Sequence, residues 1–316
     1  MAPAWARSRR WVSTSLAEAY AIRQWWVRSR PNRPWPSARL PGSNPAKVRS
    51  RPLRLHPSSS ASWRPSLLPR YHHPVTDFTD EGLILDTLNY RDRDLLLSVL
   101  TPHYGVVRGV FRRARGGRAP RAAAAQLLSQ VRCSIHQHPS ADMASFRDID
   151  PILSSFGLTT DLKKTTVAAA VAELLLVFCP QGEPASRRYR LGVAILNALL
   201  GDVSPDGALA YTQLWLLKLS GFLPPLDSCS NCGAQFTDSA VISSLGEGLH
   251  CQDCAPSGPS LGRHDLDVLQ SWIQAPPSGI SCDPPPALSR WLDRISQDAA
   301  ERRLKALHFH RRHGAT

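Results

Sequence analysis

The sequence predicts a mixed α+β, multidomain chain in which a small five-stranded barrel is followed by a helical domain with an inserted four-cysteine loop. Three observations support this prediction. Residues 82–150 contain five short apolar or alternating segments separated by turns. From Pro151 onward, hydrophobic residues recur at helical spacing. Two C-x-x-C pairs lie inside that helical region.

Strands are predicted at residues 82–90, 95–101, 106–111, 127–138 and 144–150. In the fourth strand, Leu127, Val131, Cys133 and Ile135 share one face while polar residues occupy the other, which is the period of a half-buried strand. Five short strands joined by turns fit a closed barrel of the OB type, and we assign residues 75–150 to it.

Helices are predicted before and after the cysteine loop, in residues 151–228 and 255–316. The first is capped by Thr160 or Asp161 and ended by Pro180 with Gly182. Others cover residues 190–200, 208–219 and 265–274, and a last amphipathic helix opens at Leu288 and is expected to continue to about residue 308.

The four cysteines of residues 229–254 have the spacing of a zinc ribbon or knuckle: Cys229, Cys232, Cys251 and Cys254. Two intervening residues allow one turn to aim two sulfurs at a single point, and two such turns complete a tetrahedral set. Because four thiolates leave no open coordination position, we predict one structural Zn²⁺ rather than a catalytic ion. A redox role would need only one pair beside a βαβ pattern, which is absent.

The formal charge of +13 comes entirely from the start of the chain, because residues 1–73 contain 14 Arg or Lys and one acid. Clusters of Pro and Ser make residues 1–74 a predicted disordered basic extension. Three interpretations fit this extension. The true translation start could lie near Val75, with the given start set too far upstream, or the extension could be an organellar leader or a nucleic-acid-binding arm. Six of the nine tryptophans fall here, which favours the mis-set start.

A second basic segment lies between Asp94 and Asp142, where the sequence contains arginines but no acidic residue. Guanidinium groups on a glycine-containing loop between barrel strands can follow a phosphate backbone. We therefore predict DNA contacts from Arg108, Arg112, Arg113, Arg115, Arg118, Arg121 and Arg132, against the alternative of a solvated loop.

A few aromatic, histidine and cysteine residues are weaker candidates for function. Tyr90, His103 and Tyr104 are candidate stacking residues, although two aromatics and a histidine beside a strand are more often core or turn packing. His136 and His138 share one side of a strand but have no partner ligand in the pattern, and the remaining cysteines (Cys133, Cys179 and Cys282) are interpreted as buried or incidental thiols. No phosphate loop, nucleophile elbow or catalytic carboxylate pair is present, so we predict a protein that is not an enzyme.

Localisation is predicted from what the sequence lacks. No hydrophobic run reaches the roughly 18 residues of a membrane span, and the amino terminus has no apolar secretory core. Thiols in metal-site spacing, together with the lack of a membrane span and of a secretory signal, favour a location in the cytoplasm.

The order of these parts resembles the RecO family of recombination mediators. The matching segments are Asp80-Glu-Gly-Leu-Ile-Leu85, Asn89-Tyr-Arg-Asp-Arg-Asp94, Leu100-Thr-Pro-His-Tyr-Gly105, Phe111-Arg-Arg-Ala-Arg115 and Ser220-Gly-Phe-Leu-Pro-Pro-Leu-Asp-Ser-Cys229. The resemblance covers residues 80–316 and leaves the basic extension without a counterpart.

This resemblance implies a DNA-binding OB domain, a helical domain and a zinc loop. It implies binding to single- and double-stranded DNA, strand annealing, and loading of RecA onto DNA coated by single-stranded-DNA-binding protein. The implied partners are RecR and the acidic C-terminal tail of the coating protein. Arg187, Arg188, Arg190 and Lys218 are basic candidates for docking that tail, and ordinary surface charge explains them equally well.

Two alternative functions stay open at this point. OB barrels and zinc knuckles also serve RNA, which allows an RNA-binding or ribosome-associated protein. A metal-dependent hydrolase would use His136 or His138 with a metal outside the cysteine site.

Overall fold

The computed structural model describes residues 76–115, 121–138, 141–243, 248–280 and 282–314. The predicted extension of residues 1–74 lies outside the described residues, as does Arg118. The fold begins with a barrel and continues into helices.

Five strands close into a barrel in the order β1-β2-β3-β5-β4. The strands are β1 (Thr76–Tyr90), β2 (Asp94–Thr101), β3 (Gly105–Phe111), β4 (Gln130–Gln137) and β5 (Ala144–Leu153). β3 and β5 are parallel and the other pairs are antiparallel. The prediction of a five-stranded closed barrel is confirmed.

The first strand begins earlier than predicted, at Thr76 rather than Gly82. Its polar first half pairs with β4, from Thr76 opposite Gln137 onward. After a bulge between Ile84 and Asp86, its second half pairs with β2. A single long strand therefore belongs to both sides of the closed barrel.

Alternating residues of each strand fill the barrel. Val131, Cys133 and Ile135 of β4 are buried as their alternation predicts. Gly109 permits the parallel pairing of β3 with β5, because a Cβ there would lie 2.6 Å from the carbonyl oxygen of Ala144. The interior is thus packed with side chains rather than open.

Six helices are described after the barrel: α1 (Leu162–Phe178), α2 (Ser186–Leu200), α3 (Pro205–Ser220), α4 (Arg263–Gln274), α5 (Pro286–Ala300) and α6 (Lys305–His313). The Asp161 side chain accepts from the Lys164 N–H and caps α1, which is one of the two caps predicted. α3 ends at Gly221, whose φ is 78°.

The prediction that the last helix continues to about residue 308 is wrong. α5 ends at Ala300, and Glu301 adopts a left-handed conformation with φ of 50°. α6 then begins at Lys305, where the Glu173 carboxylate of α1 accepts from the backbone N–H groups of Lys305, Ala306 and Leu307 at 2.8, 2.8 and 3.3 Å. A distant carboxylate thus provides the cap that starts a new helix.

Backbone contacts hold the barrel against the helices. The Val106 N–H donates to the Pro180 carbonyl at 3.0 Å, and the Ala185 N–H donates to the Pro102 carbonyl at 3.0 Å. Gly105, with φ of 64°, leaves no room for a Cβ against the backbone of residues 180–183. The β2–β3 turn is therefore fixed on the connection between α1 and α2.

A small sheet of three strands surrounds the cysteine turns, in the order β7-β6-β8. Its strands are β6 (Ser239–Ile242), β7 (Leu249–His250) and β8 (Ser260–Gly262), and the sequence did not predict them. Among the described residues, no helix combines the length and the apolar character that crossing a membrane requires.

Candidate nucleic-acid interface and metal centre

Two similar turns present the four cysteines. In the first, the Gly233 N–H donates to the Cys229 carbonyl at 2.9 Å, and Gly233 has φ of 74°. In the second, the Ala255 N–H donates to the Cys251 carbonyl at 3.0 Å. The Ser230 N–H donates to the Leu249 carbonyl at 2.9 Å, so β7 holds the two turns face to face.

The four sulfurs converge on one point. Their Sγ atoms all lie within 4.8 Å of one another, and those of Cys232 and Cys251 are 3.7 Å apart. A tetrahedron with metal–sulfur bonds of about 2.3 Å has sulfur–sulfur edges of about 3.8 Å. The cluster could therefore hold a metal ion, and it is the only such group of three or more ligands that the described residues contain.

Hydrogen bonds prepare one of these thiols for ionisation. Burial opposes the charged form of Cys229, but the backbone N–H groups of Cys232, Cys251 and Asn231 donate to its sulfur and lower its pKa to about 5. At Cys254, the Asn231 amide acts to lower the pKa, yet the neighbouring thiols outweigh it and raise the pKa to about 12. Mutual repulsion therefore opposes the ionisation of all four sulfurs together unless a cation compensates their charge.

A groove of about 720 Å³ runs over the outer face of β2 and β3. Leu96 and Ser98 of β2 and Arg108 of β3 form its floor, and the β4–β5 connection, with His138 and Met143, forms one wall. In OB barrels the face of strands 2 and 3 and the adjoining loops commonly bind oligonucleotides. The groove thus lies where this fold binds its ligands.

Apolar and aromatic side chains line this groove or adjoin it, some of them exposed and others half-buried. The rings of Phe78 and Tyr104 pack together with their centroids 4.0 Å apart. Strand pairing places Leu88, Leu96 and Val110 in one row across the outer face, and Leu88 is 52% exposed. These surfaces can receive the faces of bases.

Five arginines lie on two adjoining segments at one end of the barrel, the β1–β2 turn and the chain after β3. The Arg115 N–H donates to the Arg93 carbonyl at 3.0 Å, and the Arg113 N–H donates to Asp94 Oδ1 at 2.8 Å, so the chain after β3 is fixed to the β1–β2 turn. The exposed side chains brought together are those of Arg91, Arg93, Arg112, Arg113 and Arg115, which we call the arginine end. Arg108 precedes Arg112 by four residues, or about 13 Å along the strand.

Comparisons with protein families cover both parts of the fold. Residues 75–155 match the family described as Recombination protein O N terminal, and residues 159–277 match Recombination protein O C terminal. The chain belongs to the RecO family.

Similar proteins from several bacteria carry the name DNA repair protein RecO. That of Pelobacter propionicus is 27% identical over 233 residues, which cover 72% of this chain and 94% of the relative. That of Koribacter versatilis is 28% identical over 231 residues, covering 71% and 94%. That of Symbiobacterium thermophilum is 30% identical over 199 residues, covering 60% and 76%.

The predicted DNA-contacting arginines of this RecO family member fall into three groups. Arg108 lies in the groove, and Arg112, Arg113 and Arg115 lie at the arginine end. Arg132 lies on β4, separated from β3 by β5, with Glu81 and Asp150 opposite it in the neighbouring strands and its guanidinium 4.0 Å from Glu81. Arg118 and the side chain of Arg121 lie outside the described residues.

Sequence reasoning missed Arg91, Arg93 and Phe78. The first two alternate with Asp92 and Asp94, so they do not stand out as a basic run. Only the backbone pairing between the two turns shows that they adjoin the arginines after β3. Phe78 belongs to the polar half of β1 that was not predicted as strand.

The two histidines of β4 are not brought together as metal ligands. His136 Nδ1 lies 2.6 Å from Asp77, which also binds Arg147 at 3.0 Å, whereas His138 lines the groove. The His136 hydrogen bond and the nearby Arg147 hold the Asp77 pKa below its usual range, although burial opposes them. His103, a candidate stacking residue, lies with Nδ1 3.0 Å from Asp80 Oδ1.

The three cysteines outside the cluster differ in exposure. Cys133 and Cys179 are buried, and burial raises both pKa values to about 12. Cys282 is exposed. The buried thiols are therefore unreactive packing residues, as predicted, whereas Cys282 is on the surface.

Proposed function

We propose that this protein is a DNA-binding recombination mediator that acts in DNA repair without catalysing a reaction. It would bind single- and double-stranded DNA, anneal complementary strands, and help load RecA onto DNA coated by single-stranded-DNA-binding protein. RecR and the acidic tail of the coating protein would be its partners, and the cytoplasm its compartment. The family membership and the groove of the barrel support this proposal.

The observation that carries the proposal is that β3 carries Arg108 in the groove and leads, four residues later, to Arg112 of the arginine end. Phe78, Tyr104 and the row of Leu88, Leu96 and Val110 offer surfaces for bases. Arg108 and the arginine end offer charges for the phosphates of the same strand. Base contacts of this kind are tolerant of sequence, which suits a protein that must act wherever single strands form.

The cysteine cluster would hold one structural Zn²⁺. Its four sulfurs have the spacing of a tetrahedral site and leave no position for water or substrate. The ion would fix the two turns on β6 and β7, and the chain's activity would not pass through it.

The acidic tail would dock beside α2 and α3. The Arg188 Nε atom is buried without a hydrogen-bond partner among the described residues, while its Nη2 donates to Ser220 at 3.3 Å. Lys218 lies 4.6 Å from the centre of the Trp215 ring, and burial lowers its pKa. With Arg187 and Arg190, these groups favour a carboxylate-rich peptide next to apolar surface.

The test is binding of the full chain to a single-stranded oligonucleotide across a salt series. Each single-strand phosphate contact contributes about 0.7 to the slope of log affinity against log salt. Changing Arg112, Arg113 and Arg115 to Gln should therefore lower the slope by about 2.1 and weaken binding about a hundred-fold at 0.1 M salt. Residues 1–74 are present in every variant, so their contribution is constant.

The matched control changes three exposed arginines of the helical region, Arg263, Arg290 and Arg294, to Gln and removes the same charge. If both triple variants lose the same affinity, net charge rather than the arginine end governs binding and the proposal fails. Competition between DNA and RNA oligonucleotides of one sequence provides the second arm. A preference for RNA would favour the RNA-binding function instead, since the 2′-hydroxyl is what distinguishes them.

A further inference from the structure

The end of the chain carries a second basic surface, in the helical region. From Arg302 onward there is no acidic residue, and five Arg or Lys and three His occur between positions 302 and 313. The family match ends at residue 277, so this surface lies beyond it. Nothing in the barrel's proposed role requires it.

The packing of α6 sorts its side chains into two faces. Leu304, Leu307 and His310 are buried, and Arg311 binds Asp293 at 2.8 Å and Asp206 at 3.1 Å, so these residues anchor the helix. The outward side chains are exposed: Arg302, Arg303, Lys305, His308, Phe309, Arg312 and His313. We call these seven residues the α6 surface, and within it the rings of Phe309 and His313 pack with their centroids 4.6 Å apart.

The four Arg and Lys of the α6 surface are not used to hold the fold. Among the residues that the structure describes, no carboxylate pairs with Arg302, Arg303, Lys305 or Arg312. Three of these charges lie at the amino-terminal end of α6, where a cation opposes the helix dipole. Helix stability therefore gives no reason for their position.

We propose that the α6 surface is a second nucleic-acid-binding surface that takes the phosphate backbone, with Phe309 as a stacking platform. Lys305 and Arg312 are seven residues apart, about 10 Å along the helix, which spans several phosphates of one strand. Phe309 lies between them and is 52% exposed. Cations interleaved with an exposed aromatic ring are the combination that binds single strands.

Two other polyanions fit the surface less well. A peptide that binds as a helix or a PPII segment docks in a groove, whereas α6 presents a convex face. An anionic membrane would need an apolar face to insert, but the leucines of α6 are buried against the helical core and Phe309 alone projects outward from it. A second nucleic-acid surface, remote in sequence from the barrel, would let one molecule hold two strands at once.

The experiment measures single-strand binding of the full chain across a salt series, in the wild type and in the Arg112, Arg113 and Arg115 triple variant. Two double variants, Arg302→Gln with Arg303→Gln and Lys305→Gln with Arg312→Gln, each remove two charges. Each should lower the slope by about 1.4 and weaken binding about 25-fold at 0.1 M salt in the triple-variant background. The control double variant Arg263→Gln with Arg290→Gln should change neither quantity.

Phe309→Ala adds a test that does not depend on charge. It should weaken binding of a single strand about five-fold or more and leave duplex binding unchanged, because paired bases cannot stack on it. Circular dichroism of each variant establishes that the helices are retained.

The outcomes separate this inference from the proposed function. If the α6 variants lose affinity while the triple variant binds like wild type, the α6 surface is supported and the barrel proposal fails. If both double variants bind DNA like the control, the inference is overturned. It is also overturned if they keep DNA binding but lose binding to a synthetic acidic peptide, since the surface would then be a peptide site.

Discussion

The carboxylate of Asp206 joins three elements, and its removal is the most informative test of the helical packing. Lys163 of α1 lies 2.7 Å from it, and His310 and Arg311 of α6 lie 2.8 and 3.1 Å from it. The His310 hydrogen bond, partly opposed by burial and assisted by Lys163, holds the Asp206 pKa well below its usual range. The change Asp206→Asn keeps the shape and removes the charge.

The expected loss of stability depends on the ion pairs that remain after the substitution. Removing one member of a buried ionic group costs about 3–5 kcal/mol. Here Asp283 still lies 3.8 Å from Lys163, and Asp293 still binds Arg311, so part of the charge stays compensated. We expect a loss of about 2–3 kcal/mol in the free energy of unfolding, which lowers Tm by about 5–10 °C for a domain of this size.

Urea denaturation followed by far-UV circular dichroism measures this loss. The control is Asp298→Asn, because that carboxylate is 71% exposed and lies 4.0 Å from Arg294, and exposed pairs contribute under about 1 kcal/mol. If Asp206→Asn costs no more than Asp298→Asn, the reasoning is refuted.

The stability difference between wild type and Asp206→Asn should also depend on pH. A carboxylate with a depressed pKa stabilises the fold above its ordinary pKa of 3.8, and that contribution is lost as the pH falls through the folded value. The difference between wild type and Asp206→Asn should therefore be full at neutral pH and shrink below about pH 4. The Asp206 hydrogen bond raises the Lys163 pKa against a smaller opposing effect of burial, so this partner stays charged until the pH exceeds 10.5.

Two further predictions concern the metal centre and the barrel. Cys229→Ser should abolish stoichiometric metal binding, measured by mass spectrometry. Cys282→Ser is the control and should keep about one ion per chain, because Cys282 is outside the cluster. Equal metal contents in the two variants would exclude the four-sulfur site. Gly109→Ala should cost about 1–3 kcal/mol in urea denaturation, because its Cβ would meet the Ala144 carbonyl. Gly279→Ala, which meets nothing within 4 Å, is the control, and equal stabilities would contradict the parallel pairing of β3 with β5.

Local patterns predicted the parts of the fold that local interactions determine. Burial on one side gives β4 its alternation, and the Asp161 side chain caps α1 within its own turn. The first half of β1 was missed because Thr76–Glu81 is mostly polar and is ordered by pairing with β4, more than 50 residues away. The break before α6 was missed because Glu301 is not glycine and the cap comes from Glu173.

The candidate sites divide in the same way. The cysteine cluster could be predicted because each C-x-x-C turn forms locally, and two such turns supply all four sulfur ligands of a metal site. The arginine end could be predicted only in part, because Arg93 reaches Arg115 through the pairing of two turns. Asp94 is the acid that precedes the acid-free stretch in the sequence. Its carboxylate accepts from the Arg113 N–H, so this acid adjoins the arginine end.

Adjacent arginines of α6 show why a count of charges does not identify a binding surface. Arg311 faces the core and binds two carboxylates, while Arg312, rotated by about 100° on the helix, faces outward and pairs with no carboxylate of the described residues. A substitution of Arg311 would remove the anchor of α6, so a loss of DNA binding in that variant would not demonstrate a contact. Only outward residues, tested with α6 still anchored by Arg311 and Glu173, can show whether the α6 surface touches the phosphate backbone.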